Sequence, residues 1–366
     1  MSGKFLLSCL AALPLCAAPS NTCRPSNSFE QGHELTKSQM PAAYNAPARI
    51  NVRGSWDLYL TASYLFWQPS EENLELCLIN STKTTLLGTG LVPVVIPQGK
   101  IQEMGFKYKS GFKAGLGIAT GWDHWDAYAQ YTWLTGRHSS HATAPTDQNG
   151  ATTGSLVPLW GNAFNTPSEI TSGKSRWRLN LQFIDANLGR SCYVGTKLTF
   201  RPFFGARAAW IDQKYVATYL PADMTSYQDR QTTRSWGIGA EAGMLANWLV
   251  GAGFRFIGSM ETDILYTRYK LRIKEESYIN PLLLFTSLKE TVFYLRPHLD
   301  LQLGLGWGSY FSNHNYHCDF SATYGFQVFW DQNMFRTFGG PFMGNTRAPN
   351  GNLYIQGLTV DARFDF

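Results

Sequence analysis

The sequence predicts an all-β chain: a transmembrane, antiparallel, up-and-down β-barrel of ten to twelve strands, with short periplasmic turns and long extracellular loops. Three observations predict it. From about residue 55 onward, apolar residues alternate with polar or small ones, run after run, which marks strands with two unlike faces. Aromatics make up 14% and charged residues 16%, with 34 Gly in 366 residues, and mean hydropathy is -0.20. Such a balance suits one apolar face and one wet face. Finally, the connections between runs alternate short and long, as the two ends of a bacterial barrel require.

The chain is organised in three parts. Lys4, the apolar run 5–16 and the small Ala17 and Ala18 have the pattern of a cleaved signal peptide, which makes residues 1–18 an export signal. That run is far shorter than the roughly 20 residues a spanning helix needs. Residues 19–54 are polar and aperiodic and read as a flexible periplasmic lead-in, and 55–366 as the barrel.

Ten runs follow in order. In 55–68, Trp56, Leu58, Leu60, Ala62, Tyr64 and Phe66 oppose Asp57, Tyr59, Thr61 and Ser63. In 104–119, Phe106, Tyr108, Phe112, Leu116 and Ile118 oppose Lys107, Lys109 and Lys113. The third run sets Trp125, Ala127, Ala129, Tyr131 and Trp133 against Asp126, Tyr128 and Gln130. The fourth sets Trp177, Leu179, Leu181 and Phe183 against Arg176, Arg178, Asn180 and Gln182. In the fifth, Phe200, Phe204, Ala206, Ala208 and Trp210 face away from Lys197, Arg201 and Arg207. The sixth has Trp236, Ile238 and Met244 against Glu241, and the seventh Val250, Phe254 and Phe256 against Arg255. The eighth is the clearest: Phe293, Leu295, Leu299, Leu301, Leu303, Leu305 and Trp307 against Arg296, His298 and Asp300. The ninth opposes Phe320, Tyr324, Phe326 and Trp330 to His317 and Asp319. The last groups Leu353, Ile355, Leu358, Val360, Phe364 and Phe366 against Asp361, Arg363 and Asp365.

Short connections are expected near 120–124, 189–193, 247 and 309–314, and long ones at 69–103, 136–174, 212–231, 258–289 and 331–351. A further pair from 266–274 or 74–96 would make twelve strands; alternatively the long stretches are hairpins standing beyond the membrane. Trp56, Trp67, Trp125, Trp133, Trp177, Trp210, Trp307 and Trp330 lie toward strand ends, as an aromatic headgroup belt would.

Several segments resemble one family: 121–128 (GWDHWDAY), 199–215 (TFRPFFGARAAWIDQKY), 296–307 (RPHLDLQLGLGW) and the terminal strand 351–366. Together and in this order they are similar to the Legionella-type pore-forming outer-membrane proteins, the major-outer-membrane-protein-like porins of chlamydia-related bacteria. The resemblance implies a pore-forming outer-membrane barrel. It carries no catalytic residues, and Phe366 resembles the aromatic end that barrel-assembly machinery recognises.

With apolar residues facing lipid, the opposite faces would line a lumen. The candidate pore-lining residues are Lys107, Lys109, Lys113, Arg176, Arg178, Lys197, Arg201, Arg207, Glu241, Arg255, Arg296, Asp300, Asp319 and Arg363. Their excess of Lys and Arg predicts a modest anion preference if the lumen is wet. The other reading is a salt-bridged plug, because narrow barrels fill their interior with side chains. The expected function is passive diffusion of small hydrophilic solutes across the outer membrane, with outer-membrane lipid around the barrel and a homo-oligomer as a further expectation. The alternative is a structural or adhesive surface protein with a closed lumen.

No enzyme, cofactor or metal is expected. His138 and His141 are assigned to a long loop, His298 and Asp300 to a hydrogen-bonded lumen pair, and the Gly-Xaa-Gly runs lack the strand-to-helix context of a nucleotide loop. The net charge of +5 is spread along the chain, which argues against nucleic acid. Cys23, Cys77, Cys192 and Cys318 follow the export signal; they are either free or disulfide-linked to envelope proteins.

Overall fold

The computed structural model describes residues 46–53, 57–80, 85–86, 93–94, 99–120, 122–160, 170–221, 226–279, 282–339, 345–347 and 350–366. The expected export signal, most of the expected lead-in, Trp56 and Cys23 lie outside them. Ten antiparallel strands form the wall: β1 (Leu58–Glu71), β2 (Lys109–Ala119), β3 (Trp125–Thr143), β4 (Ile170–Arg190), β5 (Leu198–Pro221), β6 (Ser226–Gly251), β7 (Phe254–Ile279), β8 (Leu282–Phe311), β9 (Tyr316–Asn333) and β10 (Gly351–Asp365). Each pairs with the next, and β10 pairs with β1 from Tyr59↔Asp365 to Glu71↔Leu353. The sheet is therefore closed and leaves the wall without an edge.

The short turns gather at the end that holds both strand termini, the periplasmic end. Chain reversal there uses residues that reach positive φ. Ala252 (φ 52°) and Gly253 (φ 83°) form the β6–β7 turn, the two-residue connection that closes a twisted hairpin. This turn lies five residues beyond the one expected at Asn247, because β6 runs on to Gly251.

At the other end the hairpins are tall. β5–β6 and β7–β8 continue as paired strands through 212–221, 226–231, 258–279 and 282–289, where long loops were expected. The reading as hairpins standing beyond the membrane is the one the pairing follows, and 266–274 is the upper part of β7 rather than an added strand. β3 likewise reaches Thr143. It takes His138 and His141 out of the expected loop and puts them on opposite faces, one buried and one exposed.

Side-chain polarity inverts part-way up these strands. In the lower part the apolar side chains point outward: on β6, Trp236, Ile238, Met244 and Trp248 are exposed. These twelve residue steps cover about 40 Å of strand, which at the usual tilt of about 40° rises about 30 Å, the height of a lipid-facing band. Above it the pattern reverses. On β4, Ile184 and Leu188 point outward below, whereas higher up Trp177, Leu179, Leu181 and Phe183 point inward and are 3% exposed or less. Arg176 and Arg178 therefore stand on the outer surface, a correction of the lumen-facing expectation. The physical reason is height: outside the upper wall is water, so the apolar side chains gain by turning inward.

The same inversion moves Trp67 and Trp177 from the expected lipid belt to the interior, where Trp67 donates to Thr359 Oγ1 at 3.0 Å. It also splits the face assigned to the last strand. Leu353 and Ile355 are buried inside, while Leu358, Val360 and Phe364 are exposed outside.

Candidate functional site in the barrel lumen

The interior has three levels. The lowest is a cavity of about 700 Å³ at the periplasmic end. Among its lining residues are Lys113, Arg201, Arg255, Asp319 and Arg363 from the candidate set, with Asp57, Asp126, Glu261, Asp361 and Asp365. Arg49, from the stretch before β1, also lines it and donates to Asp57 at 2.5 Å. That stretch is tied to the periplasmic turns: Ala48 N donates to Ser191 O at 3.0 Å and Arg53 N to His314 O at 2.8 Å.

Alternation puts these charges inside, and pairing settles them. Arg201 holds Asp126 through two nitrogens at 2.7 to 3.0 Å. Arg255 reaches Asp319 at 2.7 Å. Arg363 holds Asp365 at 2.5 Å and lies 3.7 Å over the Tyr59 ring. Such pairs hold opposite charges together along the inner wall. Counted over the described lining, five Lys and Arg (Arg49, Lys113, Arg201, Arg255, Arg363) face six carboxylates (Asp57, Asp126, Glu261, Asp319, Asp361, Asp365). The expected excess of cations does not assemble there, because part of it lay on surfaces that turned out to face elsewhere.

The middle level is a buried ionic layer around Arg207. Its guanidinium donates to Asp185 at 2.5 Å and to Asp263 at 2.6 Å, and also contacts Glu261. His298 Nδ1 lies 2.7 Å from Asp263 Oδ2. Its expected partner, Asp300, accepts instead from Gln327 at 2.8 Å and Gln302 at 3.0 Å. Glu241 is buried on the inner face of β6, opposite Asp263 on β7.

The upper level is rich in aromatic and apolar side chains, with Glu71, Asp229 and Glu275 buried among them. Phe329 stacks on His298 at 3.9 Å and Phe183 lies 5.5 Å from Phe329, roofing the ionic layer. Above them the outer loops fold in. Trp160 packs on Tyr215 at 4.6 Å and donates to Glu75 O at 2.6 Å. Tyr219 donates to Leu76 O at 2.6 Å. Cys77–Asn80 pairs with Gly99–Gln102 and Ser155–Pro158 into a small sheet, and Cys77 is fully buried. Arg296 is buried too, 4.6 Å over Tyr294 and 3.4 Å from Asp331.

The remaining candidates lie elsewhere. Lys197 is exposed in the β4–β5 turn, which corrects it out of the lumen, and Lys107 is exposed in the segment before β2, where its backbone N–H donates to His138 Nδ1 at 3.1 Å. Lys109 is half-buried at the start of β2. Sequence reading missed Asp185, Glu261 and Asp263. The last two sit in a stretch taken for a loop, although Met260, Thr262, Ile264 and Tyr266 continue to alternate against them. Cys77, Cys192 and Cys318 carry free thiols.

Among curated proteins none matches this chain. Solved structures similar to it include the outer membrane protease OmpT of Escherichia coli, at 9% identity and a TM-score of 0.41 over 84% of this chain and 96% of that one. A FadL homologue of Pseudomonas aeruginosa is similar at 8% identity and a TM-score of 0.25, over 84% and 89%. A TodX deletion mutant, a monoaromatic hydrocarbon channel, is similar at 9% identity and a TM-score of 0.28, over 84% and 90%. The Legionella pneumophila major outer membrane protein family matches over residues 50–366, the whole closed barrel, and the chain belongs to that family of outer membrane proteins.

Proposed function

We propose that this protein is a narrow outer-membrane porin whose solute path begins in the charged periplasmic vestibule and is limited by the Arg207 layer. The observation that carries the reading is the cavity of about 700 Å³ inside the barrel wall, whose mixed lining brings eleven Lys, Arg, Asp and Glu side chains together. A wet, charge-lined lumen passes small hydrophilic solutes by diffusion, selecting on width and charge. With cations and carboxylates nearly balanced, discrimination between small anions and cations is weak. The process is passive and uses no covalent chemistry. His298 and Asp263, the buried His–Asp contact of the middle level, are 1% and 0% exposed, closed to a macromolecular substrate.

A second reading, a closed surface-structural barrel, is favoured by one observation: the aromatic and ionic layers above the vestibule are packed to near-zero exposure. Conductance of the refolded protein in a planar lipid bilayer under a salt gradient separates the two. Small discrete steps with a reversal potential near zero support the porin. Silent membranes, with folding shown by heat-modifiable gel mobility, refute it and leave the closed barrel.

A further inference from the structure

Above the lipid-facing band the outer wall is strongly basic, and its cations are placed against each other. Arg137 on β3 lies directly opposite Arg178 on β4, and Arg178 lies opposite Lys214 on β5. Farther round, Arg234 on β6 faces Lys270 on β7, and Arg272 on β7 faces Lys289 on β8. All seven are exposed on the outer surface. The carboxylates on this outer face are sparse: Asp212 stands opposite Arg234 and Glu276 lies farther up β7. Like charges directly opposite each other destabilise a sheet. Three strands carrying a row Arg–Arg–Lys at a spacing of about 4.8 Å therefore need an anion between them.

The height of the row identifies that anion. Lys214 stands four residues above Trp210 and Arg234 two residues above Trp236, and both Trp are exposed at the top of the lipid-facing band. The collar is thus continuous with the lipid-facing surface and lies at the level of the outer-leaflet headgroups. Arg presents paired N–H groups that match phosphate oxygens, and Lys adds a point charge.

We propose that this collar, with Arg137, Arg178 and Lys214 at one locus and Arg272 and Lys289 at another, binds phosphate-bearing headgroups of outer-leaflet lipid. Binding relieves the cross-strand repulsion and anchors the tall hairpins at a fixed depth.

The test uses the full chain, folded in neutral detergent, and measures binding of a bis-phosphorylated glycolipid, its phosphate-free counterpart and inorganic phosphate. Wild type is compared with Arg178→Gln/Lys214→Gln and, as an independent pair, Arg272→Gln/Lys289→Gln; Lys100→Gln, on the small loop sheet, is the control. Removing two cations is expected to weaken phosphorylated-lipid binding about 30-fold, with the control unchanged and heat-modifiable mobility retained. Equal binding by wild type and both double variants overturns the proposal, as does wild-type binding that ignores the lipid phosphates or is undetectable. Complete competition by millimolar inorganic phosphate would show a free-anion site and overturn the assignment to lipid.

Discussion

Arg207 donates to Asp263 at 2.6 Å although the two residues sit on strands that are not neighbours, β5 and β7, with β6 between them. The contact spans the curved inner wall, and it places one guanidinium among Asp185, Glu261 and Asp263. Arg207→Met would leave these carboxylates without their cation. Breaking a buried ionic group from one side costs about 3–5 kcal/mol. The variant is expected to lose that much stability in urea unfolding from lipid vesicles, and a loss below about 1 kcal/mol would show that the layer is already hydrated.

Gly117 on β2 stands opposite Tyr59 on β1, and a Cβ there would clash with the Cζ end of the Tyr59 ring. Tyr59 in turn stacks on Tyr128 at 5.8 Å and underlies Arg363, so the ring has little room to retreat. Gly117→Ala is expected to destabilise the barrel by about 1–3 kcal/mol, and the double variant with Tyr59→Leu to recover most of it. Additive losses in that cycle would rule out the proposed contact.

The polarity inversion predicts different costs for one substitution at two outward leucines. Leu301 lies mid-band on β8 and Leu220 lies at the top of β5, and they are 40% and 47% exposed. Leu301→Lys is expected to cost about 2–4 kcal/mol in a bilayer, and Leu220→Lys to stay within about 0.5 kcal/mol. Equal costs would mean that lipid reaches the upper wall.

Cys77 lies in the small loop sheet, and burial pushes its thiol up to about 12. Only the thiolate reacts readily. Maleimide at pH 8 should therefore leave Cys77 unmodified in the folded protein and label it after denaturation, as read by peptide mass spectrometry. Rapid labelling of native protein would show that the loop sheet opens. Its burial also removes Cys77 from the thiols available to link envelope proteins.

An antiparallel barrel of ten to twelve strands was legible in the chain, because alternation with period two is a local property and the apolar lower face repeats in every strand. Trp236 to Met244 and Leu295 to Trp307 are read directly in this way. The upper parts of β5 to β8 were not. There Tyr215, Ala217 and Tyr219 alternate as regularly as the lower strand does, but with the apolar face turned to the interior.

Alternation alone has no sign. It states that two faces differ and leaves open which one is inside; that depends on whether lipid or water lies beyond the wall at a given height. The sequence by itself determined an antiparallel outer-membrane barrel with polar residues such as Arg201, Arg207 and Arg255 on the face away from lipid. Only the tertiary structure decided that Arg176 and Arg178 stand outside, that Asp185 and Asp263 meet Arg207, and that the loops carrying Leu76, Cys77 and Trp160 fold into the top of the lumen. Those contacts join residues far apart in the chain, 143 positions in the case of Tyr219 and Leu76. They follow from the closure of the sheet and its height in the membrane, which no local pattern encodes.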